Sequence, residues 1–197
     1  FTEFCNRFRV DPETGKKNFC IIQAEDELAA AGMVIGASWM GARAFTPTSG
    51  PGISLMSEFI GFAYYAAVPS VFFNIQRTGP STGMPTKTEQ ADLLMAMYGL
   101  HGEAPLPTVA PATPSDAFNV AVEACRIALK YMTPVLMLSD GYIATGSEPW
   151  LLPDVAGLPD LRVPFAEAVE GSEFLPYSRH PDTLARPWAI PGTPGLE

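Results

Sequence analysis

Two hydrophobic periodicities alternate along the first 140 residues of the chain. Short apolar runs, typical of strands, occur at 18–23, 42–48, 69–76, 107–112 and 133–140. Helical spacing predicts helices over 26–41, 52–68, 88–99 and 115–132. Because strand and helix alternate and the strands are apolar on both faces, we predict an α/β fold with a doubly wound, mostly parallel sheet.

The pattern changes after Asp140. The remainder of the chain holds nine of the 20 prolines and shows little periodicity. Such a composition favours an extended arm that wraps a neighbour or leads to another domain. We therefore predict an α/β domain over 1–145 and a Pro-rich arm over 146–197.

Composition narrows the classes of function. The chain is 47% hydrophobic and 17% charged, which is typical of a folded protein, and its net charge of -9 argues against nucleic acid or an anionic membrane as partner. No apolar run approaches the ~20 residues of a membrane span. Cys5, Cys20 and Cys125 lie far apart without a CxxC pair, which predicts buried, reduced thiols in a cytoplasmic protein.

Candidate chemistry is expected at the carboxyl ends of the strands, where doubly wound sheets bind ligands. The predicted strands place four loops there, after Gln23, Thr46, Gln76 and Asp140.

The loop after Gln76 carries the most hydrogen-bond donors. Arg77 directly follows a buried strand, and Ser81 and Thr82 follow it among glycines. An arginine can hold a carboxylate with two parallel hydrogen bonds. The pattern indicates either a clamp for a small acid, formed by Arg77 with Ser81 and Thr82, or a salt bridge at a surface or interface.

The loop after Gln23 leads into an acidic helix start. The helix dipole accounts for Glu25 and Asp26, whereas Glu27 precedes a run of small residues. A helix face made of small residues lets another helix or a flat ligand approach closely. The small residues are Ala29, Ala30, Ala31, Gly32 and Gly36.

A turn of small residues precedes the second helix. Ser49, Gly50, Pro51 and Gly52 suit an ordinary turn, and they equally suit a helix N-terminus that offers free N–H groups to an anion or a carbonyl oxygen. His101, beside glycines at a helix exit, is either a polar cap or a catalytic group.

Three segments together resemble a known family. They read QAEDELAAAGMVIGASWMGARAFTPTSGPGISLMSE, QRTGPSTGMPTKTEQADLL and YGLHGE. In this order they resemble the alpha subunit of 2-oxoacid:ferredoxin oxidoreductases, most closely the 2-oxoglutarate type, over roughly 18–140. The resemblance implies the pyrimidine-binding domain of thiamine diphosphate enzymes.

The resemblance also implies roles for individual residues. Glu27 is expected to meet ring nitrogen N1′ of the cofactor's aminopyrimidine and to activate the cofactor. Arg77, helped by Ser81 and Thr82, is expected to bind the substrate carboxylate. The turn is expected to pack against the cofactor through Ser49, Gly50 and Pro51.

The family implies an enzyme that works only as an alpha–beta hetero-oligomer. In the resembling family a beta subunit binds the diphosphate with Mg²⁺ and carries the iron–sulfur cluster, and the resemblance implies the same here. This chain itself has neither a cluster cysteine set nor a Gly-Asp-Gly motif followed by Asn. Coenzyme A is the expected co-substrate and ferredoxin the electron acceptor. A first βα unit and a further C-terminal domain are expected to flank this segment.

Two other functions stay open at the level of sequence. One is a non-catalytic interaction subunit of such a complex. The other is a generic phosphate- or nucleotide-binding α/β domain, although the Walker pattern is absent.

Overall fold

The computed structural model describes residues 2–196 and contains a four-stranded parallel sheet. The strands are β1 (Phe45–Thr48), β2 (Ser70–Gln76), β3 (Thr108–Val109) and β4 (Pro134–Asp140), in the spatial order β1-β2-β4-β3. β2 and β4 form the centre and pair over their full length, from Ser70 with Pro134 to Gln76 with Asp140. The prediction of a parallel α/β sheet is confirmed.

Helices connect the strands and cover the sheet. They are α1 (Thr2–Asn6), α2 (Glu27–Trp39), α3 (Gly50–Tyr65), α4 (Leu93–Tyr98), α5 (Asp116–Tyr131) and α6 (Gly141–Thr145), followed by a 3-10 turn at Val155–Gly157. The start of α2 is capped by Asp26, whose Oδ1 accepts a hydrogen bond from the Ala29 N–H at 2.8 Å. α5 is followed by its C-cap residue Met132, which adopts the left-handed conformation with φ 50°.

The two central strands bury both faces. Phe72 and Leu136 point into a cluster with α2 and α3, and Val71 and Val135 point into a second cluster with α5. Because successive strand residues alternate between faces, an apolar strand needs a helix on each side. The doubly wound arrangement predicted from the sequence is confirmed.

Two predicted elements differ in the structure. The run at 18–23 is not a strand, and Phe19 and Ile22 are 38% and 64% exposed, because no neighbouring strand pairs with it. The helix predicted over 88–99 begins only at Leu93. Gln90 and Asp92 are instead hydrogen-bonded to the carboxyl edge of the sheet, which holds the preceding residues outside the helix.

The Pro-rich arm packs back on the domain itself. Arg186 Nε donates to the carbonyl oxygens of Ala66 at 3.2 Å and Ala67 at 3.0 Å, at the end of α3. The Trp188 indole N–H donates to the Ser38 carbonyl oxygen at 3.1 Å, near the end of α2. The arm is thus anchored at the amino ends of the strands, opposite the predicted site.

The cysteines are less buried than predicted. Cys5, Cys20 and Cys125 are free thiols, but Cys5 and Cys125 are half-buried and Cys20 is exposed. Cys20 is exposed because it lies in the segment that forms no strand. Among residues 2–196, no helix has the length and apolar character needed to cross a membrane.

Candidate functional site

A guanidinium at the carboxyl end of β2 forms the centre of the candidate site. Arg77 Nε donates to Ser49 Oγ at 3.0 Å, and its Nη2 donates to Ser81 Oγ at 3.2 Å. Its Nη1 is buried and has no hydrogen-bond partner among the described residues. The two hydroxyls fix the orientation of the fork and leave a donor for a ligand.

Arg77 also has no counter-ion among the residues that the structure describes. In the part of the chain that the structure describes, the ion pairs are Arg126 with Glu123 and Arg162 with Asp160. The salt-bridge alternative for Arg77 is therefore not realised among residues 2–196. A half-buried guanidinium held only by neutral hydroxyls keeps its full charge for an anion.

The turn before α3 takes part in this arrangement. Ser49 is the N-cap residue of α3, yet its side chain makes no capping hydrogen bond, and its hydroxyl instead accepts from Arg77. Pro51 lies in the first turn of α3, where its missing N–H has no cost. Ser81 and Thr82 share one predicted role beside Arg77, but only Ser81 is hydrogen-bonded to it, and Thr82 is exposed.

Glu27 also lies next to this turn. It is the first residue of α2, and its carboxylate forms no hydrogen bond or ion pair with any described residue. A Cβ atom at Gly52 would overlap Thr48 Oγ1 and lie 3.0 Å from Glu27 Cγ. The glycine therefore permits Glu27 to approach the turn, and the structure places both Glu27 and the Arg77 clamp next to residues 49–52.

The small residues of α2 serve mainly in helix packing. A Cβ atom at Gly32 would lie 3.4 Å from the Phe59 ring of α3, and Ala31 is fully buried in the cluster between the two helices. Of the two sequence-based alternatives, packing by another helix is the one that the structure shows at these two positions.

His101 lies apart from the site. Its carbonyl oxygen faces Gly61, in the last part of α3, and its side chain is exposed. Gly61 is 11 residues beyond Gly50, which corresponds to roughly 16 Å along the helix axis. The arrangement gives His101 no contact with Arg77 or Glu27.

A polar network beside the clamp was not predicted from the sequence. Asn74 Nδ2 donates to Asp92 Oδ2 at 3.0 Å, and the Asp92 N–H donates to Gln76 Oε1 at 3.0 Å. Asn74 is 1% exposed, and its Oδ1 has no partner among residues 2–196. The sequence does carry a signal for it, because Asn74 and Gln76 are two amides spaced by two on one face of an otherwise apolar strand.

The network extends to the end of β4. Gln76 Nε2 donates to the Ser139 carbonyl oxygen at 3.1 Å, and Gln90 Nε2 donates to Asp140 Oδ2 at 2.7 Å. Burial opposes ionisation of Asp140, but hydrogen bonds from Gln90 and from the N–H groups of Ile143 and Tyr142 together hold the pKa of Asp140 below its usual value. The carboxyl ends of β2 and β4 are thus tied to the loop that carries Arg77.

The fold and the site together define a ligand-binding α/β domain whose carboxyl edge presents a free cation and a free carboxylate. Comparison with known proteins identifies the family of this domain. The sequence model of the family described as pyruvate flavodoxin/ferredoxin oxidoreductase, thiamine diphosphate-binding, matches residues 2–190. The chain belongs to this family.

Individual relatives are similar over most of the chain. The 2-oxoglutarate oxidoreductase subunit KorA of Mycobacterium tuberculosis is 54% identical over 183 residues, which are 92% of this chain and 28% of that protein. The 2-oxoglutarate synthase subunit KorA of Archaeoglobus fulgidus is 48% identical over 132 residues, which are 67% of this chain and 38% of that protein. The chain thus spans well under half the length of these relatives.

A solved structure agrees with this fold. The 2-oxoglutarate:ferredoxin oxidoreductase from Magnetococcus marinus, with 2-oxoglutarate, coenzyme A and succinyl-CoA bound, matches with a TM-score of 0.79 and 36% sequence identity. The match covers 90% of this chain and 31% of that chain.

Proposed function

We propose that this chain is the cofactor- and substrate-facing part of the alpha subunit of a 2-oxoacid:ferredoxin oxidoreductase. The enzyme would oxidatively decarboxylate 2-oxoglutarate, or a close 2-oxoacid, to an acyl-CoA and pass electrons to ferredoxin. The observation that carries the proposal is the Arg77 guanidinium, which is oriented by two serine hydroxyls and has no carboxylate partner in the described chain.

Arg77 would bind the carboxylate of the 2-oxoacid. Its Nη1 is buried without an acceptor, and a buried donor without a partner is costly unless a ligand satisfies it. Ser49 and Ser81 would keep the guanidinium plane fixed while the acid binds. Thr82 would reach the ligand only if its exposed segment moved towards Arg77.

The residues around the turn fit thiamine diphosphate. The Glu27 carboxylate is free to accept or share a proton with ring nitrogen N1′, and Gly52 gives it room beside the turn. Ser49, Gly50 and Pro51 would contact the cofactor from the start of α3. When bound, thiamine diphosphate supplies the nucleophilic carbon and the electron sink that decarboxylation of a 2-oxoacid requires.

A second subunit would complete the site. We propose that a cytoplasmic beta subunit holds the diphosphate with Mg²⁺ and carries the iron–sulfur cluster, while coenzyme A enters as co-substrate. The described part of the chain has no group of three or more His, Cys, Asp or Glu side chains suited to a metal. Several large apolar side chains of α2, of its C-cap residue and of α3 are exposed and would pack on a partner: Leu28, Met33, Met40, Leu55 and Phe62.

One structural feature disfavours a generic phosphate-binding domain. The carboxylate of Asp92 lies against Gly50, in the first turn of α3, where a bound phosphate would otherwise meet the positive end of the helix dipole. An internal carboxylate at this position would repel a phosphate. The interaction-subunit alternative is disfavoured by the free charges of Glu27 and Arg77, which a non-catalytic surface does not need.

The test is an anaerobic assay of the full-length protein assembled with its partner subunit. Reduction of a viologen dye would be followed with 2-oxoglutarate and with pyruvate, each with and without coenzyme A. We expect reduction that depends on coenzyme A and is faster with 2-oxoglutarate. A complex that holds its cofactor and cluster and reduces no dye with any 2-oxoacid would support the interaction-subunit alternative.

A further inference from the structure

Asp92 occupies a capping position without acting as a cap. It directly precedes α4, but its side chain accepts no hydrogen bond from that helix. The side chain instead accepts from Asn74 Nδ2 at 3.0 Å, and the Asp92 N–H is bound by Gln76 Oε1 at 3.0 Å. Because an aspartate at this position normally stabilises a helix by capping it, the use of this carboxylate elsewhere indicates another task.

The carboxylate of Asp92 lies against the turn that carries Ser49. A Cβ atom at Gly50 would overlap Asp92 Oδ2 and lie 2.9 Å from Asp92 Cγ and Oδ1. Gly50 is buried, so the contact is protected from water. The carboxylate also stands at the positive end of the 16-residue helix α3, which favours an anion there.

Arg77 contacts the same turn through the adjacent residue. Its Nε donates to Ser49 Oγ at 3.0 Å, so the turn lies in a chain of contacts from Asp92 through Gly50 and Ser49 to Arg77. Asp92 is itself held by Asn74, which is 1% exposed and belongs to the central strand β2. The rigid sheet therefore fixes Asp92, and Asp92 limits where the turn can lie.

We propose that Asp92 is a positioning residue for the substrate clamp: it holds the Ser49–Gly50 turn where Ser49 orients the Arg77 guanidinium. The part of this proposal that concerns substrate rests on the proposed function of Arg77. The part that concerns the position of Arg77 is independent of any substrate.

The proposal makes a specific prediction for Gly50 and Asp92 together. Gly50 does not have a positive φ, so its backbone accepts an alanine, and the cost of Gly50→Ala is the clash with the Asp92 carboxylate. Asp92→Ala removes the group with which the new methyl would clash. The effects of the two substitutions should therefore not add, as expected for residues in direct contact.

The experiment uses the full-length complex and two measurements. The first is the rate at which phenylglyoxal modifies Arg77, followed by peptide mass spectrometry without substrate. The second is the steady-state KM and kcat for 2-oxoglutarate. The variants are Asp92→Ala, Asp92→Asn, Gly50→Ala and the double variant, with Glu89→Gln as control because Glu89 is an exposed carboxylate of the same loop.

We expect Asp92→Ala and Gly50→Ala each to speed modification of Arg77 severalfold and to raise KM about ten-fold, the size of one lost hydrogen bond to a charged group, with a smaller change in kcat. Asp92→Asn should stay near wild type, because its amide oxygen still accepts from Asn74. The double variant should be no worse than Asp92→Ala, and Glu89→Gln should behave as wild type.

Three outcomes separate the possibilities. Unchanged Arg77 reactivity in an assembled Asp92→Ala complex would overturn the positioning role, as would effects of Asp92→Ala and Gly50→Ala that multiply in the double variant. If the wild-type complex turns over no 2-oxoacid but Arg77 reactivity still rises in Asp92→Ala, the positioning role stands and the proposed function fails.

Discussion

At the scale of single residues, the Arg77 clamp differs from the chain's ion pairs in what holds it. Arg126 and Arg162 each face a carboxylate at 2.6 Å, whereas Arg77 is held by the hydroxyls of Ser49 and Ser81. A carboxylate would have neutralised Arg77 and competed with a ligand. Hydroxyls fix the direction of the guanidinium without using its charge, which suits a site that must admit and release an acid.

Replacing Arg77 by lysine tests the importance of this geometry. The ammonium of Arg77→Lys keeps the charge but has no planar fork, so it cannot bind both hydroxyls and a carboxylate in one plane. We expect KM for 2-oxoglutarate to rise at least ten-fold in steady-state assays of the assembled enzyme. Arg126→Lys, in a surface ion pair, is the control, and equal KM values for both variants would contradict the clamp.

Glu27 can be tested by an isosteric change. Glu27→Gln keeps the size of the side chain but removes the carboxylate that would meet ring nitrogen N1′ of the cofactor. We expect turnover to be abolished while the complex still assembles, as judged by size-exclusion chromatography. The matched control is Glu25→Gln, an exposed carboxylate two residues earlier, and near-normal turnover of Glu27→Gln would remove Glu27 from the proposed mechanism.

At the scale of elements, the sequence predicted those whose signal is local. Strands β2 and β4 were found because both faces are apolar, and α3 and α5 because their spacing and start signals agree. The run at 18–23 is equally apolar, but a strand also needs a neighbour for its hydrogen bonds. No local pattern reports whether that neighbour is present.

The site was predictable only in part for the same reason. The position of Arg77 after a buried strand identified it as a candidate from the chain alone. The contact of Asp92 with Asn74 joins residues 18 apart and depends on the path of the loop between them. The path of a loop of this length is set by tertiary contacts. The spacing of residues in the sequence therefore could not predict the role of Asp92 or its close approach to Gly50.

The arm and the site lie at opposite ends of the same two helices. α2 and α3 begin with Glu27 and Gly50 and end close to Ser38 and Ala66, where Trp188 and Arg186 donate hydrogen bonds. The 16 residues of α3 separate its ends by roughly 24 Å. The arm is therefore placed to stabilise the helices that carry the site without contacting the ligand.

Arg186→Ala tests this role of the arm. Arg186 is buried, stacks at 5.0 Å from the Trp39 ring centroid, and satisfies two carbonyl groups at the end of α3. Its loss should lower the free energy of unfolding by about 2 kcal/mol, measured by urea denaturation, and leave KM for 2-oxoglutarate unchanged. Arg162→Ala, on an exposed part of the same arm, is the control; equal stability of both variants would show that the arm is not anchored by Arg186.

At the scale of the whole molecule, the carboxylates differ in burial, and Asp140 is a buried one. Most carboxylates lie at the surface, where their pairing contributes little to stability. Asp140 is 1% exposed and sits between the carboxyl ends of the central strands and the loop that carries Arg77. The ionisation state of Asp140 therefore affects both the stability of the fold and the position of the loop that carries Arg77.

This link predicts how stability depends on pH. Burial alone would raise the folded-state pKa of Asp140, but hydrogen bonds from Gln90, Ile143 and Tyr142 together hold it below its ordinary value of 3.8. The folded state then binds fewer protons than the unfolded state, so the contribution of Asp140 is complete above pH 3.8 and is lost as the pH falls through the lower, folded-state pKa.

Asp140→Asn should therefore be less stable than wild type at pH 7, and the difference should shrink in acid. Urea unfolding between pH 7 and pH 2 measures this, with Gln90→Ala as a second variant that removes one hydrogen bond but keeps the carboxylate. Gln90→Ala should raise the pKa of Asp140, so its loss of stability in acid should begin at a higher pH than in wild type. A constant difference between Asp140→Asn and wild type across this range would mean that the hydrogen bonds stabilise the edge of the sheet without depending on the charge.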